Sequence, residues 1–167
     1  MEAGAIVRDC TGVYYVPEKT IIGPSVIVPD QIVEKKYLFY GEEPSGIYCG
    51  LALLNRFGVT TQMPGRLDVV TNQESSRNRK IVINGRKFYL KKSRCPITKD
   101  NYAAYTLVQL FYDLDDRDVL DAYSQHRIKV YIRAHQVSKA QVMEVALAFP
   151  KKALKRMIAS EVYNELA

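Results

Sequence analysis

Apolar and polar positions change period several times along this chain of 167 residues, and each change marks an element. Ala5 to Arg8 and Gly12 to Pro17 place β-branched and aromatic residues on either side of a break at Asp9 to Gly12, which predicts a two-stranded hairpin. Such a hairpin is marginal alone in water and needs something to pack on. Lys19 to Pro29 is punctuated by Gly and Pro and predicts a connecting loop. Asp30 stands where an N-cap belongs, ahead of a helix through Ile32, Val33, Lys36 and Tyr37 that Gly41 ends. From Ser45 to Phe57 the positions Tyr48, Leu51, Ala52, Leu54 and Phe57 recur at helical spacing, so a second helix is expected with Gly58 as its stop. Gly46 and Gly50, four positions apart, predict close approach of a neighbouring element.

Leu67 to Thr71, Lys80 to Ile83 and Arg86 to Lys91 alternate or are rich in β-branched residues and predict three strands. Asn84-Gly85 joins the last two with the residues a type I′ turn requires. Beyond Cys95-Pro96 the pattern turns helical. Thr98 precedes a helix with Leu107, Val108, Leu110, Phe111 and Leu114 at core spacing. Arg127 to Gln136 admits a strand through Ile128, Val130 and Ile132, but its helical neighbours favour a helix. Ser138 caps a helix through Val142, Val145, Ala146 and Phe149. Pro150 then opens a last helix with Leu154, Met157, Ile158 and Val162 inward and Lys151, Lys152, Lys155 and Arg156 opposite. A hairpin, helices, three strands and an all-helical end make an α+β fold with a small mixed sheet.

Composition adds exclusions. Hydrophobic residues at 47% and charged residues at 25% are ordinary globular usage, which excludes a disordered or low-complexity chain. Cys10, Cys49 and Cys95 are odd in number and far apart, so neither a disulfide framework nor a cysteine zinc site is expected, and a reducing cytoplasm is. No apolar run has the length of a membrane span, and Met-Glu-Ala-Gly at the start lacks the pattern of a signal peptide. Charge changes the picture more. The net charge is +6, yet Arg77, Arg79, Lys80, Arg86, Lys87, Lys91, Lys92, Arg94 and Lys99 follow one another without an intervening acid, which leaves the remainder net acidic. A basic face on a hairpin suits phosphates or an acidic partner. It equally suits a sheet edge that charge keeps from aggregating.

Catalytic signatures are missing from the sequence: it has no Gly-rich phosphate loop, dinucleotide fingerprint, His-Glu-x-x-His or nucleophile elbow. His126 and His135 are nine apart, which puts them on different helix faces without a Cys or carboxylate at ligand spacing. Pro29-Asp30 with Glu34 and Lys36 has the outline of a nuclease signature, but one helix cannot supply the strand turn that separates its acids. Ser75-Ser76 reads as a turn. Carboxylates as dense as Asp113, Asp115, Asp116, Asp118 and Asp121 can bind Mg²⁺. At a helix break they are more often caps and dipole partners. Asp68, Asp113 and Asp116 are the only loose candidates for an enzyme, and no catalytic residue, metal or cofactor is expected.

One resemblance spans most of the chain, from about Gly12 to Leu166. The run Gly50-Leu-Ala-Leu-Leu-Asn-Arg-Phe-Gly-Val-Thr-Thr-Gln-Met-Pro64, then Leu67-Asp-Val-Val-Thr-Asn-Gln-Glu-Ser-Ser-Arg77, then Ile83-Asn-Gly-Arg-Lys87, resembles the AbiEi-type antitoxins of type IV toxin-antitoxin systems. The matching motif residues are Thr71, Asn72, Ser75, Ser76 and Arg77. The resemblance implies residues 1-28 as the wing and linker of a winged helix-turn-helix, and residues 29-167 as the C-terminal antitoxin domain. It further implies a nucleotidyltransferase toxin as functional partner and repression of the chain's own operon. Operator DNA is then a partner for a form carrying the helices that precede the wing, because a recognition helix reads the major groove. Arg77, Arg79, Lys80, Arg86, Lys87, Lys91 and Lys92 are the expected contacts, since guanidinium and ammonium groups match phosphates and acidic surfaces. The hairpin edge or the basic last helix also offers a surface to a second copy. A general nucleic-acid-binding module built on the basic hairpin is the alternative.

Overall fold

The computed structural model describes residues 28–75 and 78–167, preceded by the backbone of four short strands. β1 (Val7–Cys10) and β2 (Val13–Tyr15) pair antiparallel, as the first hairpin predicts. β3 (Lys19–Thr20) and β4 (Gly23–Pro24) pair within the stretch expected to be loop.

α1 (Pro29–Val33) begins two residues earlier than an N-cap at Asp30 would place it. Val28 is its N-cap and donates its N–H to Gln31 Oε1 at 3.3 Å, so Asp30 lies inside the first turn. Pro29 fits there because the first helical N–H has no partner to lose. The helix then widens into a π turn over Glu34–Leu38, which buries the adjacent Tyr37 and Leu38 together. It ends before Gly41. β5 (Phe39–Tyr40) and β6 (Glu43–Pro44) form a small hairpin in which Gly41 has φ +64°.

Ser45 to Phe57 is not one helix. Gly46–Cys49 is a strand, β7, and only Leu51–Arg56 is helical, α2. Gly50 makes the corner between them, at φ 62° and ψ −141°, a conformation that glycine tolerates and other residues resist. At Gly46 the chain passes so near its neighbours that an added Cβ would lie 2.2 Å from the Tyr37 carbonyl oxygen and 2.8 Å from that of Val70. The close approach read from the two glycines therefore belongs to Gly46, and it is a strand that is approached.

The principal sheet runs β7, β8 (Leu67–Thr71), β10 (Arg86–Lys92), β9 (Arg79–Ile83). β7 is antiparallel to β8, β8 is parallel to β10, and β10 is antiparallel to β9, so the sheet is mixed. Asn84 and Gly85, both at positive φ, turn β9 into β10.

The C-terminal part is helical: α3 (Tyr102–Asp113), α4 (Ala122–His135), α5 (Lys139–Ala146) and α6 (Lys151–Ala159), followed by a 3₁₀ turn at Glu161–Glu165. Asp121 caps α4 by accepting the Ser124 N–H at 2.8 Å, and Ser138 with Gln141 forms a capping box on α5. α5 stops at Ala146, short of Phe149, and Pro150 is the N-cap of α6 rather than its first residue. The inward stripe of α6 is set by Ala153 and Met157, so Ile158 falls outside it and is exposed, while Val162 is buried from the 3₁₀ turn.

Two apolar clusters sandwich the sheet. Leu67, Val69, Ile83, Phe88 and Leu90 pack against Ile32, Val33, Tyr37 and Leu38 of α1 and its π turn. On the other face Ile47, Cys49 and Val70 join α2 and the four C-terminal helices. Each large side chain so buried stabilises the fold by about 1.5–3 kcal/mol.

Candidate contact surface

Strand alternation sorts the basic hairpin into two faces. Phe88 and Leu90 point toward α1, and with them go Arg86 and Arg79 through the register Arg86↔Ile83 and Leu90↔Arg79. Both of these arginines are paired. Arg86 Nη1 lies 2.6 Å from Asp30 Oδ2, and Arg79 Nε lies 3.0 Å from the buried carboxylate of Glu74. Its hydrogen bond to Glu74 holds the Arg79 guanidinium above its ordinary pKa. These contacts fasten the hairpin to α1 and to the loop after β8.

The opposite face carries Lys87, Tyr89 and Lys91 on β10, with Val82 and Lys80 alongside on β9. Lys80, Val82 and Lys87 are exposed, and neither lysine forms an ion pair with a described carboxylate. Tyr89 is half-buried, with the Arg66 guanidinium 4.9 Å and the Lys91 ammonium 5.8 Å from its ring centroid. Lys91 donates to Asp68 at 2.8 Å. Burial works to lower the Lys91 pKa, but interactions including that hydrogen bond outweigh it and the ammonium titrates above its ordinary value. Lys92 is exposed at the end of β10. Arg94 is held over the rings of Tyr112 and Phe149, at 4.6 and 5.4 Å.

Among the expected contacts, Lys80, Lys87 and Lys92 are therefore exposed and form no ion pair with a described carboxylate, whereas Arg79, Arg86 and Lys91 also hold the fold together. Arg77 and Ser76 lie outside the described residues, and Ser75 is exposed. Thr71 and Asn72 of the family motif are structural. Thr71 is fully buried, donating to the Ser45 carbonyl at 3.3 Å and accepting from Gln73 N–H at 3.1 Å. Asn72 donates to the Ile97 carbonyl at 2.7 Å and accepts from Ile97 N–H at 2.9 Å and Ser93 Oγ at 2.8 Å, which clamps the chain after β10 against β8. Neither Arg66 nor Tyr89 stands out as a contact from sequence pattern alone. Only the parallel pairing of β10 on β8, with Tyr89 opposite Asp68, brings Arg66 and Tyr89 together.

The carboxylates singled out from the sequence do different work. Asp68 lies between Arg66 at 3.0 Å and Lys91 at 2.8 Å. Asp113, at the end of α3, accepts the Gly50 N–H at 2.6 Å and the Gln109 amide at 2.8 Å, and so ties the helix to the corner between β7 and α2. Burial raises its pKa, against the pull of those two hydrogen bonds. Asp68 and Asp113 share a cleft of about 500 Å³ with Cys49, Thr60 and Arg66. Burial pushes the Cys49 thiol well above its usual range, which keeps it protonated. Asp116 pairs elsewhere, with Arg156. Among the described residues no three His, Cys, Asp or Glu side chains are grouped to hold a metal ion. His135 meets the Tyr131 ring at a tilt of 46°, 4.4 Å between centroids. Among the same residues, no helix is long and apolar enough to cross a membrane.

No protein-family model, no curated protein and no solved structure matches this chain.

Proposed function

We propose that this chain is an antitoxin-type regulator that acts by contact: it counters a nucleotidyltransferase toxin, and in a form carrying the helices of a winged helix-turn-helix it represses its own operon. One observation carries the contact reading. The sheet half bearing Lys80 and Lys87 is left open by the helices that cover the other half, and, unlike Lys91 beside Asp68, neither Lys80 nor Lys87 has a described carboxylate to neutralise it. A cationic face of this kind attracts phosphates and acidic protein surfaces over several ångströms. The engagement of Asp113 by Gly50 and Gln109, of Asp68 by Arg66 and Lys91, and of Asp116 by Arg156 supports contact over turnover, since each carboxylate already has structural partners.

The test is growth of cells expressing the adjacent reading frame, with this chain supplied in trans from a neutral promoter that separates antidote action from repression. Restored growth is the expected result. A toxic neighbour that this chain leaves toxic overturns the antitoxin reading.

The ring of Tyr89 among Arg66 and Lys91 favours a second reading, a general nucleic-acid-binding module, because aromatic rings beside cations stack on bases. That reading expects binding of labelled single-stranded RNA that weakens steeply with salt.

A further inference from the structure

α5 and α6 turn Val142, Val145, Ala153 and Met157 toward the core they share with α3, and leave a second apolar surface outside. Met143 and Leu147 form a ridge along the end of α5, and Ile158 forms another along α6 with Leu154, four residues before it, half-buried against the core at its base. Leu147 is 88% exposed and Ile158 52%. Between the ridges runs an open groove of about 750 Å³, rimmed by Lys151 and Lys155, also four apart. Exposed apolar residues gathered in one groove, rather than scattered singly, mark an interaction surface.

The rim says what fits. Lys151 and Lys152 open α6, whose first turn holds no acid, so cations stand at the end of the helix where its dipole is already positive. Nothing in the helix itself is stabilised by that placement. Lys152 turns away, its ammonium 4.4 Å from the Tyr112 ring, which leaves Lys151 and Lys155 as the charges beside the groove. Glu144 lies next to Met143 in sequence but does not line the groove.

We propose that this groove docks an amphipathic helix of a partner protein, one whose apolar stripe lies between the ridges and whose glutamates or aspartates, one turn apart, meet Lys151 and Lys155. Helix-in-groove recognition uses anchors at this repeat. α6 is nine residues long, so the complementary segment is two to three turns. The groove is distinct from the basic sheet face and does not depend on the antitoxin reading.

The test is fluorescence anisotropy of the full chain with a labelled helical peptide of roughly 14 residues, carrying leucines at i, i+3, i+4 and i+7 flanked by glutamates. Two further peptides replace either the glutamates by lysines or the leucines by serines. The glutamate peptide is expected to bind at least about tenfold tighter than either counterpart. Leu147→Ser with Ile158→Ser should abolish binding without changing the melting temperature, as both side chains are exposed. Should the pair prove unstable, Leu147→Ser alone serves. Lys151→Glu with Lys155→Glu should reverse the preference toward the lysine peptide. Equal binding of the glutamate and lysine peptides, or no saturable binding of either, overturns the proposal. A dimer in sedimentation that Leu147→Ser dissociates, or vesicle binding by the anionic lipid phosphatidylglycerol that Leu147→Ser removes, also overturns it and gives the groove to a second copy or to a lipid surface.

Discussion

Replacing Gly46 by alanine separates two accounts of the segment around it by the sign of the effect. In a helix, Gly46→Ala would stabilise the protein by up to about 1 kcal/mol, the difference in helix propensity. In the strand β7 the new Cβ meets the Tyr37 carbonyl oxygen at 2.2 Å, the Val70 carbonyl oxygen at 2.8 Å and the Thr71 Cβ at 3.1 Å. Two of these are backbone atoms and cannot rotate away. The neighbouring backbone is pinned on both sides, by Ser45 N–H on the Leu38 carbonyl at 2.7 Å and Asn72 N–H on the Ser45 carbonyl at 2.8 Å. Relief requires β7 to retreat by about 1 Å, at the upper end of overpacking costs, about 3 kcal/mol. For a chain of this size that lowers Tm by about 6–12 °C. Gly65→Ala is the control, since nothing lies within 4 Å of an added Cβ there, and its effect should stay within about 0.5 kcal/mol. Thermal and urea denaturation followed by circular dichroism measure both variants. A Gly46→Ala protein as stable as the parent, or more so, would refute the wedged strand.

Three other outcomes follow from the same contacts. Asn72→Ala removes three hydrogen bonds to Ile97 and Ser93 and, because Asn72 is itself exposed so that water replaces part of them, should cost about 1 kcal/mol in urea denaturation. The folded-state pKa of Asp113 is raised by burial, so its contribution to stability is fully present below the unfolded carboxylate pKa and declines as pH rises through the folded value. The stability of the parent relative to Asp113→Asn should accordingly fall with rising pH across that window, and parallel pH profiles would contradict the burial. Lys80→Glu with Lys87→Glu should leave Tm within about 2 °C, as surface substitutions do, whereas Glu74→Ala should lower stability by leaving Arg79 without its partner.

How much of this was legible in the sequence depended on how local the cause was. α3 and α5, and the turn at Asn84 and Gly85, follow from periodicity and caps carried within a few residues, whereas the helix over 127–136 is favoured only by its neighbours and α4 starts earlier, at Ala122. β7 was hidden because Tyr48, Leu51, Ala52 and Leu54 keep helical spacing across a strand and a helix, and the features that divide them are non-local: the Tyr37 and Val70 carbonyls at Gly46 and the Asp113 carboxylate on Gly50 N–H. The π turn was hidden for a related reason. Nothing in the spacing of Glu34 to Leu38 sets it apart from the α-helix before it. The basic segment could be read as a patch, but its division could not. Asp30, Glu74 and Asp68 come from other elements to pair with Arg86, Arg79 and Lys91, and only strand register shows that Lys80 and Lys87 share the open face.

The most direct measurement of the central claim is growth of cells expressing the adjacent reading frame, the proposed toxin, with the Lys80→Glu, Lys87→Glu variant supplied in trans, beside the parent chain and Lys139→Glu, an exposed lysine on α5. Expression and melting temperature are matched across the three. Contact through the open sheet face predicts that the parent and Lys139→Glu restore growth and that the double reversal does not. Full rescue by the double reversal would contradict it.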